Sequence, residues 1–172
     1  GFDAISPVVG REPVRNAIIA IVVASIAIMF YVTWAFRRVP NPLRYGSAAI
    51  VALIHDVIIV LGVFSILGSV ANLEVNAMFI TGVLTVIGYS VNDTIVVFDR
   101  LRENTGRFQT ATVREIADLS IRETIGRSLN TSLTLLIVVA ALLVFGGQTI
   151  QPLLLVLAVG VVAGTYSSIF VA

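Results

Sequence analysis

Residues 77–98 read AMFITGVLTVIGYSVNDTIVVF, an apolar run with one carboxylate, Asp93, towards its end. At about 1.5 Å per residue, a helix of this length crosses about 30 Å of hydrocarbon. Charge is costly at that depth, so an acid inside such a run points to function before other residues do. The stretch therefore predicts a membrane-spanning helix that carries a buried acid.

Four further apolar blocks flank this run, two before it and two after it. We expect spans at about residues 14–36, 45–67, 128–145 and 152–172, in addition to 77–98. Every backbone amide must be satisfied inside lipid, and the ~10-residue alternation of barrel strands is absent, so helices are predicted. The predicted fold class is an all-α membrane protein, a polytopic helical bundle with five transmembrane helices.

The composition excludes a water-soluble domain. Apolar residue types make up 58% of the 172 residues and charged types only 12%, against about 25% charged in an average soluble domain. Cysteine is absent and histidine occurs once, so we expect no metal site and no cofactor. There is no nucleophile–base pair, and a net charge of +1 creates no field for polyanions, so we expect neither an enzyme nor a nucleic-acid partner.

The arginines indicate how the bundle sits in the lipid bilayer. Nine of the eleven lie between the first and second spans or between the third and fourth, and short loops rich in basic residues stay in the cytoplasm. We therefore predict an external N-terminus and a cytoplasmic C-terminus for this chain. Residues 1–13 are predicted to be an external lead-in, and we expect a longer polypeptide with at least one earlier span.

The segment between the third and fourth spans has its own helical pattern. Apolar or small residues recur at helical spacing from Val113 to Ile121. Thr112 and Glu115 are spaced as in a capping box, in which each side chain binds the other residue's backbone amide. We predict a short amphipathic helix at about residues 112–123 on the cytoplasmic surface, joined to the fourth span through Gly126.

A polar stripe surrounds the acid of the third span. Thr81, Thr85, Tyr89 and Asn92 lie along the helical face of Asp93. One interpretation is a hydrogen-bonded seam between helices, with a protonated structural acid. The other is a carboxylate that binds and releases an ion, with Tyr89 and Asn92 as polar neighbours that hold the site or order water.

Further candidates lie on the neighbouring spans. Asp56, beside His55 in the second span, is either a hydrogen-bonded structural acid or a secondary member of an ion pathway. Arg127 opens the fourth span and is either an anchor at the interface or a fixed counter-ion paired with Asp93. Thr131 follows it at i+4 on the same face, as a further polar neighbour of the site.

Gly160 and Gly164 form a GxxxG motif in the fifth span. Small residues at this spacing let two helix backbones come close together. We interpret the pair as a packing motif and not as part of the chemistry.

Residues 86–104, VIGYSVNDTIVVFDRLREN, resemble the signature span of the SecF family, the membrane subunit of the bacterial SecDF accessory to protein export. Residues 55–59 (HDVII), 124–132 (TIGRSLNTS) and 164–172 (GTYSSIFVA) resemble further family motifs, with Ser128 where Thr is more usual. The resemblance implies spans two to six of a six-span half related to RND transporters. It also implies that the first span and an external domain lie outside this chain.

The resemblance implies a function as well. The family works with SecD, separate or fused, and uses the proton gradient (sodium in some members) to help draw preproteins through the SecYEG channel of the inner membrane. The residues matching Asp93 and Arg127 belong to its ion pathway, and a partner acid comes from SecD. The alternatives are part of an RND-type exporter of small molecules or lipids, and a passive translocon scaffold without ion flux.

Overall fold

The computed structural model of the chain describes residues 7–37, 39, 41–71, 76–108 and 110–172. Its elements are five α-helices and one short 3-10 helix: α1 (Pro7–Ala35), α2 (Pro42–Ala71), α3 (Ala77–Arg107), α4 (Val113–Phe145), the 3-10 helix Gln148–Ile150 and α5 (Gln151–Phe170). The five α-helices are long and apolar enough to cross a membrane. The predicted all-α bundle of five spans is therefore confirmed over the described residues.

The predicted external lead-in, residues 1–13, is described only in part. Residues 1–6 lie outside the described residues, and α1 begins at Pro7. Proline suits the first turn of a helix, because the amide it lacks has no intrahelical partner there. The helix therefore starts ahead of the apolar run that predicted the first span.

Helices α3 and α5 form the centre of the bundle. α3 packs against the four other helices, and α5 packs against α2, α3 and α4. One apolar cluster joins α2, α3 and α5 through the buried side chains of Leu53, Val86 and Val156. α1 and α4 lie further out and expose large apolar side chains, which include Ile26, Phe30, Leu133 and Ile137. This is the arrangement expected where hydrocarbon, not water, surrounds the bundle.

Small residues let α3 and α5 approach closely. A Cβ added to Gly160 would overlap the side chain of Val86. A Cβ added to Gly164 would lie 3.2 Å from the Cβ of Ser90, one helical turn further along. The GxxxG motif of α5 therefore lies directly in its interface with α3.

The surface helix and the fourth span, predicted as two segments, form one helix. α4 runs without a break from Val113 to Phe145, 33 residues, which is a length of about 50 Å. α3 likewise continues beyond its apolar run, to Arg107. The boundaries predicted at residues 98, 123 and 128 are therefore not helix ends.

Polar side chains hold the extended ends of α3 and α4 together. The amide of Asn104, which is fully buried, donates to Ser120 Oγ at 3.0 Å and to Glu123 Oε2 at 2.7 Å. Arg100 Nε donates to the same Glu123 oxygen at 2.7 Å. Arg100, and then Asn104, lower the pKa of Glu123 through these bonds. These hydrogen bonds connect α3 and α4 beyond their apolar runs, where both helices continue.

The capping box at the start of α4 is confirmed. Thr112 Oγ1 accepts from the amide of Glu115 at 3.4 Å, and the Glu115 carboxylate accepts from the amide and the hydroxyl of Thr112 at 2.8 Å each. The amide and then the hydroxyl lower the pKa of Glu115. The carboxylate therefore supports the helix end above the ordinary pKa of glutamate, and this support is lost as the pH falls through the lowered pKa.

We expect Thr112→Ala to destabilise the first turn of α4 by about 1 kcal/mol, the usual effect of losing a threonine N-cap. The pKa of Glu115 should rise part of the way to its ordinary value, because the amide donor remains and the hydroxyl donor is lost. NMR titration of the Glu115 carboxyl and hydrogen exchange of the first-turn amides measure the two effects. Thr110→Ala, outside the box, is the matched control, and an unchanged Glu115 titration would contradict the role of the hydroxyl.

Candidate ion-exchange site

Asp93 is buried between α3, α4 and α5, with 6% of its surface exposed. The hydroxyl of Ser128 on α4 donates to Asp93 Oδ1 at 2.7 Å, and the hydroxyl of Ser168 on α5 donates to Oδ2 at 2.5 Å. Each carboxylate oxygen therefore has one hydroxyl donor, and the two donors come from different helices. Within the described residues, no basic side chain forms an ion pair with Asp93.

The local sequence explains why this acid faces inward. Val86 and Ser90 are buried on the same side of α3 as Asp93, seven and three residues before it. Ser90 lies against Gly164 of α5. Ser168 follows Gly164 by about one turn, so the same close interface brings its hydroxyl to the acid.

A second buried acid, Asp56, lies on α2 with 1% of its surface exposed. Ser90 of α3 donates a short hydrogen bond to Asp56 Oδ2, and Ser167 of α5 donates to the same oxygen at 2.8 Å. The other oxygen, Oδ1, is 3.1 Å from Nδ1 of His55, whose side chain is 31% exposed. Asp56 is therefore held, like Asp93, by serine hydroxyls from two other helices.

The residues of the polar stripe predicted along α3 face different sides of the helix in the structure. Asp93 turns inward, whereas Asn92 and the two threonines of the stripe are exposed, because consecutive helix residues point about 100° apart. Tyr89 is partly buried, and its hydroxyl lies 2.7 Å from Ser132 Oγ on α4. Neither Tyr89 nor Asn92 hydrogen-bonds to the acid in the part of the chain that the structure describes.

Arg127 does not reach Asp93 within this chain. Its side chain is exposed, and the predicted ion pair is absent among the described residues. The next residue, Ser128, takes the position that faces the acid, and Arg127 consequently points to another side of α4. Thr131 lies on that exposed side and donates to the carbonyl of Arg127 at 2.9 Å, not to the acid.

The donors to the two acids are serines that the sequence pattern did not single out for the site, namely Ser90, Ser128, Ser167 and Ser168. A serine in an apolar helix commonly donates to its own backbone, so its presence does not indicate a partner. The usable signal was proximity in sequence, because Ser128 follows Arg127 and the serine pair closely follows Gly164. A buried carboxylate needs such donors.

One face of the bundle is polar at the depth of the membrane. This polar face comprises exposed or partly exposed residues of α3 and α4: Thr81, Thr85, Tyr89, Asn92, Arg127, Asn130, Thr131 and Thr134. Tyr89, Thr131 and Thr134 line a shallow cavity on it. The threonine hydroxyls donate to carbonyls of their own helices. Lipid chains cannot satisfy the side chains of Asn92, Arg127 and Asn130, so the face suits water or another membrane segment.

The hydroxyl environment suits exchange of a proton. A serine hydroxyl has one proton to donate and two lone pairs, so it can donate to a carboxylate or accept from a protonated carboxyl. The described ranges contain no group of three or more histidine, cysteine or acidic side chains that could hold a metal ion. Both charge states of Asp93 can therefore be satisfied by turning hydroxyls, without moving a helix.

Comparison with known proteins identifies the family. The family model for the protein export membrane protein SecD/SecF, C-terminal, matches residues 1–172. SecF of Thermobaculum terrenum is 49% identical over 169 residues, which cover 98% of this chain and 53% of the relative. SecDF of Bacillus subtilis is 42% identical over 173 residues, which cover 99% of this chain and 22% of the relative. The chain thus spans about half the length of the curated SecF relatives that it matches.

Solved structures agree with this assignment. The crystal structure of SecDF from Thermus thermophilus, a translocon-associated membrane protein, matches with a TM-score of 0.84 at 42% identity, over 96% of this chain and 22% of that chain. A crystal structure of SecDF in a super-membrane-facing form matches with a TM-score of 0.81 at 41% identity, over 91% of this chain and 20% of that chain. The resemblance noted at residues 86–104 is confirmed, and this chain belongs to the SecD/SecF family of protein-export membrane proteins, as part of SecF or of the C-terminal half of SecDF.

Proposed function

We propose that this chain is the energy-coupling membrane part of a SecF-type accessory to Sec-dependent protein export. It acts with SecD, separate or fused, and with the SecYEG channel on a translocating preprotein in the bacterial inner membrane. The energy source is the proton gradient or the sodium gradient. The names of the relatives, as protein-export and translocon-associated membrane proteins, support this proposal.

The environment of Asp93 is the observation that carries the proposal. The acid is buried in the apolar part of α3, and its partners are neutral hydroxyls from α4 and α5. No cation of the described residues fixes its charge, so the acid can change its proton occupancy as its surroundings change. We therefore assign ion exchange to Asp93, with Asp56 as a secondary candidate.

The polar face supports a membrane partner. It is too polar for lipid, and we assign it to SecD, which would cover it and supply the second acid implied by the family resemblance. Arg127 lies on this face, so its role as counter-ion belongs to the assembled complex and not to this chain alone. Tyr89, Asn92 and Thr131 would order water or hold the site there.

The charge distribution supports an orientation with the N-terminus of this chain outside and the C-terminus in the cytoplasm. Nine of the eleven arginines lie between the first two spans or between the third and fourth. Surface ion pairs also gather where α3 ends and α4 begins: Arg100–Glu123 at 2.7 Å, Arg102–Asp99 at 2.7 Å and Arg122–Asp118 at 2.9 Å. We assign this charged end to the cytoplasm.

The ion gradient supplies enough energy for such a role. One elementary charge crossing 100 mV releases about 2.3 kcal/mol, several times RT. A bias of that size shifts the populations of a two-state rearrangement by more than tenfold. An external domain attached to the membrane helices could therefore be driven between two positions by ion movement.

Collapse of the gradient separates this proposal from a passive scaffold. Preprotein translocation is measured in vesicles that contain the native-length chain, SecD and SecYEG, with a protonophore in one arm and a sodium ionophore in the other. We expect the stimulation to vanish when the gradient of the coupling ion is collapsed. Vesicles that lack the chain serve as the control for direct effects of the two ionophores on SecYEG. Stimulation that survives the loss of both gradients would contradict coupling and support a scaffold.

A further inference from the structure

Two neighbouring serines of α5 connect the two buried acids. Ser167 donates to Asp56 at 2.8 Å, and Ser168 donates to Asp93 at 2.5 Å. Neither serine exposes more than 2% of its surface. Consecutive helix residues point about 100° apart, and α5 packs against both α2 and α3, so it presents one hydroxyl to each acid.

Each of these serines has a second acceptor on its own helix. Ser167 Oγ lies 3.2 Å from the carbonyl oxygen of Gly164, and Ser168 Oγ lies 3.0 Å from that of Thr165. While an acid is charged, its serine donates to the carboxylate. When the acid takes up a proton on Oδ2, the oxygen that faces the serine, the new O–H donates to the serine oxygen, and the serine O–H turns to the backbone carbonyl. Protonation of either acid at Oδ2 therefore changes the hydrogen bonding of the α5 backbone.

The two carbonyls belong to one short segment of α5, which we call the Gly164–Thr165 segment. Gly164 lies against Ser90 of α3, and Ser90 is itself a donor to Asp56. The hydroxyl of Thr165 lies 2.5 Å from Ser132 Oγ on α4. Ser132 Oγ in turn donates at 2.8 Å to the backbone carbonyl of Ser128, the residue of α4 that donates to Asp93. A change at this segment that follows from protonation of one acid consequently reaches a donor residue of the other.

Few titratable groups surround Asp56. His55 on α2 lies 3.1 Å away at Nδ1, Asp93 on α3 lies beyond the serine pair, and Tyr166 on α5 stacks on His55 with ring centroids 6.0 Å apart. Within the described residues, no side chain of α1 hydrogen-bonds to the acid. His55 is partly exposed and, with Tyr166, lines an apolar groove that is distinct from the cavity on the polar face. Through its contact with His55, Asp56 is therefore connected to a different side of the bundle from the polar face.

We propose that Asp56 is a second proton-binding carboxyl, and that Ser167 and Ser168 couple its proton occupancy to that of Asp93. The inference rests on the proposed function for the role of Asp93, and it goes beyond that function, which requires only one acid in this chain. The serines are positioning residues, because they act through the two acids. The protons then belong to the pair, and the two acids do not titrate independently.

Infrared difference spectroscopy of the carboxyl groups against pH tests this coupling in the native-length chain with SecD in lipid vesicles. The variants Asp93→Asn and Asp56→Asn assign the bands of the two acids. In Asp56→Asn, we expect the titration of Asp93 to shift by about tenfold in proton concentration, the scale at which coupled sites cease to titrate independently. When both serines are replaced, in Ser167→Ala/Ser168→Ala, the further substitution Asp56→Asn should shift the titration of Asp93 much less.

Two controls make the measurement specific. Ser25→Ala removes a partly buried serine that donates to the Ile21 carbonyl at 2.8 Å, and the shift should remain at full size. Ser167→Thr keeps a hydroxyl and should retain the coupling, which separates loss of the donor from loss of packing. Thermal unfolding shows whether each variant is folded.

An Asp93 titration that is the same with and without Asp56 would overturn the coupling. A full-size shift in the double serine variant would overturn the role of Ser167 and Ser168. Both outcomes are distinct from a failure of the proposed function, because that failure is measured as export and the coupling is measured as carboxyl protonation.

Discussion

Replacing Asp93 with asparagine is expected to abolish the gradient-dependent stimulation of export while membrane insertion stays normal. Asparagine keeps the shape of the side chain and can still hydrogen-bond to Ser128 and Ser168, but it cannot gain or lose a proton at this depth. Preprotein translocation with and without the ion gradient measures the effect. The stimulated rate should fall to that of vesicles without the chain, because the acid to which ion exchange is assigned is lost.

Asp99→Asn is the matched control on the same helix. Asp99 is exposed and pairs with Arg102 at 2.7 Å, beyond the apolar run. An exposed ion pair contributes little to stability, so this variant should stimulate export as the unaltered protein does. Full stimulation by Asp93→Asn, in vesicles with a normal content of the protein, would refute the role assigned to Asp93.

Gly160→Ala should have the largest effect on stability among single methyl additions in α5. The new Cβ would overlap the side chain of Val86 and lie 2.9 Å from the Val86 Cβ, so turning the valine cannot relieve the contact. α5 would have to move away from α3, and overpacking of this kind costs about 1–3 kcal/mol. The serines that reach the two acids lie on the same helix, so export should fall as well. Thermal unfolding in detergent measures the loss of stability.

Two further variants show whether the contact with Val86 is the cause. Gly62→Ala adds the same methyl group where no atom lies within 4 Å, and it should leave stability unchanged or slightly raised. Val86→Ala removes the two γ-methyl groups, which overlap the new Cβ most closely, and leaves the Cβ of residue 86 in place. Val86→Ala/Gly160→Ala should therefore recover part of the stability lost in Gly160→Ala. If Gly160→Ala unfolds at the same temperature as the unaltered chain, the close approach of α5 to α3 is not required.

The membrane class, the five spans and the family could be predicted because each rests on local properties of the chain. An apolar run of sufficient length must be a helix in lipid, whatever its neighbours are. The run at residues 77–98 also isolates Asp93, since an acid is rare in such surroundings. The capping box at Thr112 is equally local, and it was found as predicted.

The ends of the helices, and the side chains that meet across them, could not be predicted in the same way. The hydropathy of α3 falls after Phe98, but Asn104 and Arg100 bond to Glu123 of α4, and both helices continue. Arg127 was expected to face Asp93, and the structure places Ser128 there, one residue away. A shift of one residue turns a helix by about 100°, which decides whether a side chain faces the core or the surface.

Length, hydropathy and motif are properties of one segment at a time, and they were enough to predict a membrane bundle of the SecF type with an acid inside an apolar helix. The groups that meet this acid became evident only from the packing of the helices. Ser128 and Ser168 are 35 and 75 residues away from Asp93 in sequence. They meet it because small residues in α5 let the helices come close, and contacts between distant segments are settled by packing, not by local pattern.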